Sequence, residues 1–581
     1  MAAVRRGHSP LKVDLSAAAP TDLPPISALF LIYFDIKAGY TIGWKRAVPG
    51  LELEGVVEYK SLPSGLHTVK EDLIYFVHEN HAGLSAFINA PADEESRNAR
   101  MIAVGIMVPL SYGRLGRSWK HAEKLKEMAS ALIVDESKTE ILEDFWKEHK
   151  SEDPTPKETD SVLDSPSSIL YAPVRNNSRG QGRHRSASDG AALLPPGQTL
   201  SAHHPAWSLP ALLEAFGPLI FPIHRAALLR KRILIISHAP VEETCNFVYN
   251  ISILSNIPLA VNELLAPTAP PQRLRPLFSI GVHDIPLLEE DLKASKAPTD
   301  ASEPSDEREE NGNGWIACTT DSILAMKSAL YDVLITMPPA YSSSATDKVW
   351  PKVESPQGIE MKATQRDLRR YRALRWGLSR HTSPPSSPEP RHSSSGTRDD
   401  PMLDIPETDG IVEPVSWSAL AYSGFMWWAS AGEGQRLDIE SESENDSDLL
   451  SGLTLSHTPG GGTSTTRTSA AQETAIIAYF HRLSGQFLTT ISDIVDATDS
   501  DDDAGNHEED DEDEDQEEGE ALIGAQHGPA VYVTSNDVAR MGLDVWSAGD
   551  HAFVEDLAHL YFGRRAQVEG KNIDVCGVRI C

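Results

Sequence analysis

Apolar residues arrive in bursts along this chain, and five long stretches between the bursts carry too few of them to fold. Ser151 to Leu200 is rich in Ser, Pro, Asn and Arg. Ala294 to Gly314 is mostly Ala, Pro, Ser and acid, and His381 to Asp409 contains TSPPSSPEP. Gly434 to Ser469 runs from ESESEND to GGGTSTT, and Asp496 to Gly528 is an acidic tract. None has the apolar density needed to offset the entropy of ordering a chain, so each is expected to be disordered. Whatever folds must therefore assemble from pieces distant in sequence.

The pieces have readable periods. Ala28 to Ile36, ALFLIYFDI, is a near-continuous apolar run of the kind a buried strand needs. Val56 to Tyr59, Leu73 to Val77, Leu84 to Ile88 and Met101 to Val108 read as further strands of a meander, with turn residues between them. His121 to Val134 follows with Leu125, Met128, Ala129, Leu132 and Ile133 on one helical face. A small antiparallel sheet backed by a helix is the expected result. The next piece alternates. Leu212 to Leu229 is apolar and broken by Pro218 and Pro222. Arg232 to Ser237 is a short strand, Val241 to Ser255 a helix, and Phe278 to Val282, Trp315 to Thr319 and Val333 to Thr336 are strands. That rhythm predicts a mostly parallel sheet with helices on its faces, so the fold class is α/β (α+β). Ala363 to Leu378, Ser416 to Ser430, Glu473 to Val495 and Ala548 to Arg565 read as helices, the last with Ser547 and Asp550 in a capping-box pattern. The chain ends in a strand-like IDVCGVRIC.

The formal net charge is −33, and the stretch Asp501 to Glu520 alone holds fourteen acidic residues and no basic one. That balance argues against a nucleic-acid surface. The acidic tract reads as a solvated spacer. The four cysteines, Cys245, Cys318, Cys576 and Cys581, form no C-x-x-C pair and suit a reducing compartment. A prenylation box would need Cys where Val578 stands. No signal peptide is visible before Pro20, Pro24 and Pro25. Val415 to Ala431 approaches membrane-span length but carries four Ser residues and acidic flanks, and is expected to be a buried helix.

Motifs for chemistry fail on inspection. Gly39 to Lys45 has three residues between its glycines and Trp44 before Lys45, which suits a strand turn better than a phosphate loop. Gly460 to Gly462 has no helix behind it. Cys245 falls on the apolar side of a helix, as a core residue does. His238 follows a strand end and reads as a loop residue, and His78 and His81 lack a third ligand. No catalytic, cofactor-binding or metal-ligating residue is assigned, and no small-molecule substrate is expected. The basic helix Arg366 to Arg380 could meet an anionic membrane or acidic partner, or could pack through Leu368, Tyr371, Leu374 and Leu378. Ser186, Ser188, Ser383 and Ser387 sit in phosphorylation-type contexts.

Several segments carry a family resemblance. The block from LFLIYFDIKAGYTIGWKRAVPG to HAGLSAFIN, with RILIISHAPVEETCNFVYNISILSNIP, FSIGVHDIP and WIACTTDSILAMKSALYDVLITMPP, resembles the LCHN-like DENN-domain family. FMWWASAGE and DVWSAGDHAFVEDLAHLYFG resemble its fungal branch, related to the AVL-nine group of trafficking proteins. The resemblance implies a tripartite module: a disordered 1–25, a longin-like lobe at 26–150, a disordered linker at 151–204 and a central Rossmann-like α/β lobe at 205–345 with a disordered insertion at 294–314. A mainly helical lobe at 346–581 completes it, with disordered insertions at 381–409, 434–469 and 496–528. It also implies a guanine-nucleotide exchange factor for a Rab-type small GTPase, needing no cofactor. The expected place is the cytoplasm, with peripheral membrane contact on Golgi or endosomal vesicles. A non-catalytic adaptor on the same fold is the alternative. Arg232 to Glu243 and the turn Asp35 to Tyr40 are the segments expected to face a partner.

Overall fold

A computed structural model describes residues 23–35, 39–91, 99–151, 200–296, 314–339, 342, 345, 347–382, 408–430, 433–450, 465–505, 530–570, 573–575 and 578–580. Most of the five apolar-poor stretches, the four serines above, Gly460 to Gly462, Cys576 and Cys581 lie outside the described residues.

The first lobe is built as its alternation demands. Strands β1 (Ala28–Asp35), β2 (Gly39–Ala47), β3 (Glu71–His78), β4 (His81–Pro91) and β5 (Ala99–Pro109) form an antiparallel sheet in the order β3-β4-β5-β1-β2. Two cross-strand pairs set its packing. Phe76 lies opposite Gly83 and Phe30 opposite Gly105, and each ring covers its glycine. A Cβ on Gly83 would stand 2.1 Å from the Phe76 ring, so no side chain fits there without moving it. Helix α2 (Ala122–Val134) covers β4 and β5 with Leu125, Met128, Ala129 and Leu132. Helix α3 (Glu140–His149) follows and is tied to the lobe's start by Ile26 N–H donating to His149 O at 2.8 Å.

One predicted strand is a helix. Val56 to Tyr59 enters α1 (Val57–Lys60), because Gly55 at φ 77° turns the chain and only Val57 is buried. Among the described residues no strand pairs outside β2, and this segment crosses instead toward the second lobe, where Lys60 meets Asp284.

There, α4 (Leu209–Phe216) and α5 (Ile220–Leu228) flank a 3-10 turn containing Pro218, and then come β6 (Ile233–Ile236), α6 (Glu242–Leu254) and α7 (Leu259–Asn262). Strand β7 (Arg275–Ser279), α8 (Ile285–Lys296), β8 (Trp315–Thr319), α9 (Ser322–Ala325) and β9 (Val333–Thr336) complete the alternation. Strands β9, β6, β8 and β7 are parallel neighbours, and β10 (Lys352–Glu354) adds antiparallel to β9. The strands are buried on both faces, as a parallel sheet requires. Ile233, Ile235, Ile316 and Cys318 face the main core, while Leu234, Trp315, Ala317 and Leu334 face a smaller cluster with Leu324 and Leu288. Strand β7 stops before Gly281, short of the predicted Val282, because Gly281 N–H donates to Asp284 Oδ2 at 3.0 Å and starts a turn.

The two sheets are one. Strand β3 pairs antiparallel with β7 through Phe76 and Phe278, giving ten strands in the order β10-β9-β6-β8-β7-β3-β4-β5-β1-β2. The joint sits on a bulge between Pro276 and Phe278, and Phe278 has φ 60°, a left-handed conformation that a bulky residue keeps only where its surroundings hold it.

The third part packs on α4, α5 and α6. It contains α10 (Gln365–Thr382), α11 (Trp417–Ser430), α12 (Glu433–Leu450) and α13 (Thr465–Gly505). After these come β11 (Val531–Val533), α14 (Ser535–Arg540), α15 (Ala548–Phe562) and β12 (Ala566–Val568), then a hairpin of β13 (Ile573–Val575) and β14 (Val578–Ile580). Residues 433–450 and 465–505 are helical, which takes in the described parts of the apolar-poor stretches at 434–469 and 496–528. Charge pairing orders the first: Arg366 donates to both oxygens of Asp446 at 2.8 and 2.9 Å, and Arg369 to both oxygens of Glu442 at 2.8 and 3.0 Å. Helix α11, expected to be buried, leaves Trp417, Leu420 and Trp427 exposed. Among the described residues, the one stretch long and apolar enough to cross a membrane is Pro205–Leu228, and most of it is buried in the core.

Candidate functional site

The carboxyl ends of parallel strands are where open α/β sheets usually hold ligands. Here the first lobe closes that edge. Helix α1 and the turn after it reach over the ends of β7 and β8. The Lys60 ammonium pairs with the buried Asp284 carboxylate and also donates to Val77 O at 3.0 Å. Ser64 Oγ donates to Asp321 Oδ1 at 2.5 Å, and the other oxygen of Asp321 accepts from Val282 N–H at 3.3 Å. The Tyr59 ring stacks on His283, with centroids 3.8 Å apart.

Behind this seam Asp72 caps α6. It accepts from Val241 N–H at 2.7 Å and Glu242 N–H at 3.1 Å, meeting the unpaired donors of the helix start with a negative charge. Burial nevertheless outweighs those bonds and pushes the Asp72 carboxyl up to about 6. Arg114, buried, donates from Nε to Ser252 Oγ at 3.0 Å and fastens the first lobe to the far end of α6; burial lowers it to about 9.

The expected residues distribute unevenly around the seam. The segment Arg232 to Glu243 lies on it, through Asp72. The turn Asp35 to Tyr40 joins β1 to β2, the opposite edge of the sheet, and Ile36 to Ala38 lie outside the described residues. His238 is an exposed loop residue. His78 and His81 are cross-strand partners at the β3–β4 turn, half-buried rather than solvated, and burial lowers both. Cys245 is core, with its Sγ 3.6 Å from that of Cys318, and its hydrogen bond, together with burial, raises Cys318 well above the ordinary thiol range. Gly39 to Lys45 is strand β2. Among the described residues no His, Cys, Asp and Glu cluster has metal-ligand geometry.

The basic helix is resolved toward packing. Leu368, Tyr371, Leu374 and Leu378 are buried, and Arg366 and Arg370 point at Asp446. From its first turn Asp367 takes a bidentate bond from Arg225 of α5 at 2.7 and 2.9 Å, and Arg225 also lies 3.3 Å from Asp550 of α15. Burial alone would raise Asp367, but Arg225 holds it below the usual carboxylate range; Asp550 is pushed up by burial. This buried charge cluster locks the third part to the second lobe.

What sequence reading missed is the shared surface itself. The elements that meet at the seam carry the exposed apolar side chains Tyr59, Leu287, Ile323 and Met326, of which Met326 is 75 % exposed. Each looked isolated in sequence, because α8 and α9 come together through β7–β8 pairing and α1 joins them through β3–β7 pairing.

The strand edge is closed by these contacts, and the elements that close it carry exposed apolar side chains. Residues 29–347, more than half of the chain, match the DENN domain-containing protein 11 family, and the chain belongs to that family. Residues 412–581 match a domain of unknown function, DUF4484. The chain is 32 % identical over 312 residues to DENN domain-containing protein 11 of Danio rerio, covering 53 % of each chain. The same protein of Xenopus laevis is also 32 % identical, over 53 % of this chain and 59 % of its own. The match thus spans little more than half the length of these relatives. The uncharacterized protein ANR2 of Saccharomyces cerevisiae is 22 % identical over 585 residues, 96 % of this chain and 95 % of its own.

Proposed function

We propose that the protein is a guanine-nucleotide exchange factor for a Rab-type small GTPase, in the LCHN-like fungal branch of its family. It acts by binding the nucleotide-free GTPase more tightly than the loaded one. Family membership across both lobes supports this, and the observation that carries it is the seam: two lobes share one sheet and present apolar side chains on either side of their joint. A GTPase holds its nucleotide with its own phosphate loop and Mg²⁺. A partner that prefers the empty state weakens nucleotide affinity by the same factor, as linkage requires. The exchange factor then needs a rigid docking face and no nucleophile. The proposed setting is the cytoplasm, peripheral on Golgi or endosomal vesicles.

The test is release of labelled GDP from a panel of Rab GTPases with the full chain. Acceleration of at least one member is expected, and Ile323→Ser/Met326→Ser should reduce it by about tenfold, equivalent to ~1.4 kcal/mol of docking energy, without changing the melting temperature. Binding without acceleration would replace exchange by an adaptor role. Full exchange activity in the double variant would move the docking face off the seam.

A further inference from the structure

The first lobe meets the second along one edge of β3, and two side chains hold carbonyls on that edge. Carbonyls two residues apart on a strand point to the same side. Lys60 Nζ donates to Val77 O at 3.0 Å, and Cys245 Sγ donates to Tyr75 O at 3.7 Å. Between them β7 supplies its single paired position, Phe278 against Phe76. Cys245 of α6 is therefore a tie between the lobes as well as a core residue.

Its other neighbour is a second thiol. Cys318 of β8 lies 73 positions further on, with its sulfur 3.6 Å from that of Cys245, and both residues are buried. Each thiol has one proton to give. With that of Cys245 committed to Tyr75 O, the proton between the two sulfurs is that of Cys318. The result is a relay from Cys318 to Cys245 to Tyr75 across β8, α6 and β3. Its direction agrees with the Cys318 thiol being pushed up by its bond to Cys245, since a donating S–H holds its proton. Closing the gap between the sulfurs to bonding distance takes a shift of about 1.5 Å.

We propose that Cys245 and Cys318 are a reversible redox pair at the joint between the lobes, in which a disulfide removes the thiol donor from Tyr75 O and loosens the seat of the first lobe. The oxidant is a peroxide. One thiol takes an oxygen from hydrogen peroxide, releasing water and leaving a sulfenic acid. The second thiol displaces the sulfenic hydroxyl as another water, so two S–H bonds and one O–O bond give one S–S bond and two waters. Both sulfurs are buried, so the peroxide reaches them through local opening at the start of α6, beside the Asp72 cap. Disulfides in reducing compartments are transient and sensory, which suits a pair that rests as thiols.

The two lobes respond with opposite signs. The oxidised pair has no S–H, so the Tyr75 carbonyl loses its donor at a buried position, where an unmatched acceptor is unfavourable. The bond itself lies wholly within the second lobe and closes a long loop there, which constrains the unfolded chain of that lobe.

The test uses the full chain carrying Cys576→Ser/Cys581→Ser, which leaves one pair. It is treated with hydrogen peroxide in native buffer, blocked with N-ethylmaleimide, digested without reductant and mapped by mass spectrometry. A peptide linking Cys245 to Cys318 is expected, and dithiothreitol should remove it. In the oxidised chain, amides of 71–78 should exchange at least about tenfold faster, while those of 242–254 and 315–319 exchange no faster, and reduction should restore the first set. Cys318→Ala keeps the Cys245 donor on Tyr75 O and cannot form the bond, so its β3 exchange should be unmoved by peroxide. Cys245→Ser, whose hydroxyl also donates, gives the same control should Cys318→Ala prove unstable. Absence of the linked peptide, or its formation only in urea, overturns the proposal. So does a linked peptide with unchanged β3 exchange, or a peroxide effect on β3 that persists in either variant. No readout contains a GTPase, so the outcome stands apart from the exchange reading.

Discussion

His224 shows how one residue couples this core to pH. It sits in α5 with its ring between Leu254 O at 3.2 Å and Ser484 Oγ at 3.1 Å, joining the second lobe to α13. Burial lowers it to about 3, and lowers His121 and His481 to about 4. In the unfolded chain each titrates near 6.5. The folded state therefore binds fewer protons between those values. The stability these groups contribute is complete above pH ~6.5 and is lost as pH falls. Asp72, raised to about 6, runs the other way, its contribution falling as pH rises from ~4 to ~6. Replacing one histidine isolates its share. Urea unfolding of His224→Gln against wild type should show the variant losing less stability between pH 7 and pH 5, by about 2 kcal/mol for one proton over 1.5 pH units. Equal slopes would mean that the imidazole is protonated in place. Nothing in the sequence marks these histidines as buried; each lies among apolar residues whose period is helical, and only the docking of α13 onto α5 and α6 encloses two of them.

At the scale of elements, α10 and α12 teach the clearest lesson. Helix α12 alone has the composition of a solvated acidic segment, while α10 carries a basic side beside its apolar face of Leu368, Tyr371, Leu374 and Leu378. Together their charges interlock, and Leu449 and Leu450 seal the end against α10 beside Gly377. Apolar density is the proper signal for a helix that buries a stripe, but it is blind to a helix held by complementary charge. The same blindness affected α11, whose apolar content implied burial that the fold does not supply. By contrast strands β1, β3, β4, β5, β6, β8 and β9 and helices α2 and α6 were legible to within a few residues, because their period follows directly from burial, whereas α1 read as a strand and β2 as a turn. Asp446 is the hinge of the charged pair. Asp446→Ala leaves Arg366 and Arg370 buried without their shared carboxylate, a loss of ~3–5 kcal/mol when one partner of a buried pair is removed. The expected outcome is local: faster amide exchange across 439–450 while α13 stays protected. Unchanged exchange in α12 would show that Leu449 and Leu450, rather than charge, hold it.

On the scale of the whole molecule, the fusion of two sheets through β3 and β7 turns sequence-distant lobes into one body. Alternation within a strand names its own faces but not its partner, so neither the joint nor the seam beside it could be read from either segment alone. The joint offers a single paired position, Phe76 with Phe278, which is too little ladder to fix two lobes. The apolar core that the two lobes share and the seam contacts supply the rest, and at the seam Lys60 with Asp284 is the most buried charged pair, at 10 % and 7 % side-chain exposure. Lys60→Met strands the Asp284 carboxylate. It should cost ~3 kcal/mol and separate the first lobe's unfolding from the second's, so that strand circular dichroism and tryptophan fluorescence no longer change together in urea. Lys60→Met/Asp284→Asn should recover at least half of that, since the amide still accepts from Gly281 N–H and leaves no charge buried. A single variant that unfolds in one coincident transition would place the coupling elsewhere, in the shared apolar core, the Asp72 cap on α6 and the Arg114 bonds to its far end. The proposed docking face, made of both lobes, would discriminate an empty GTPase from a loaded one only if the lobes keep their spacing, so under that proposal the loss of cooperativity in Lys60→Met is matched by a loss of GDP release at temperatures where both lobes remain folded.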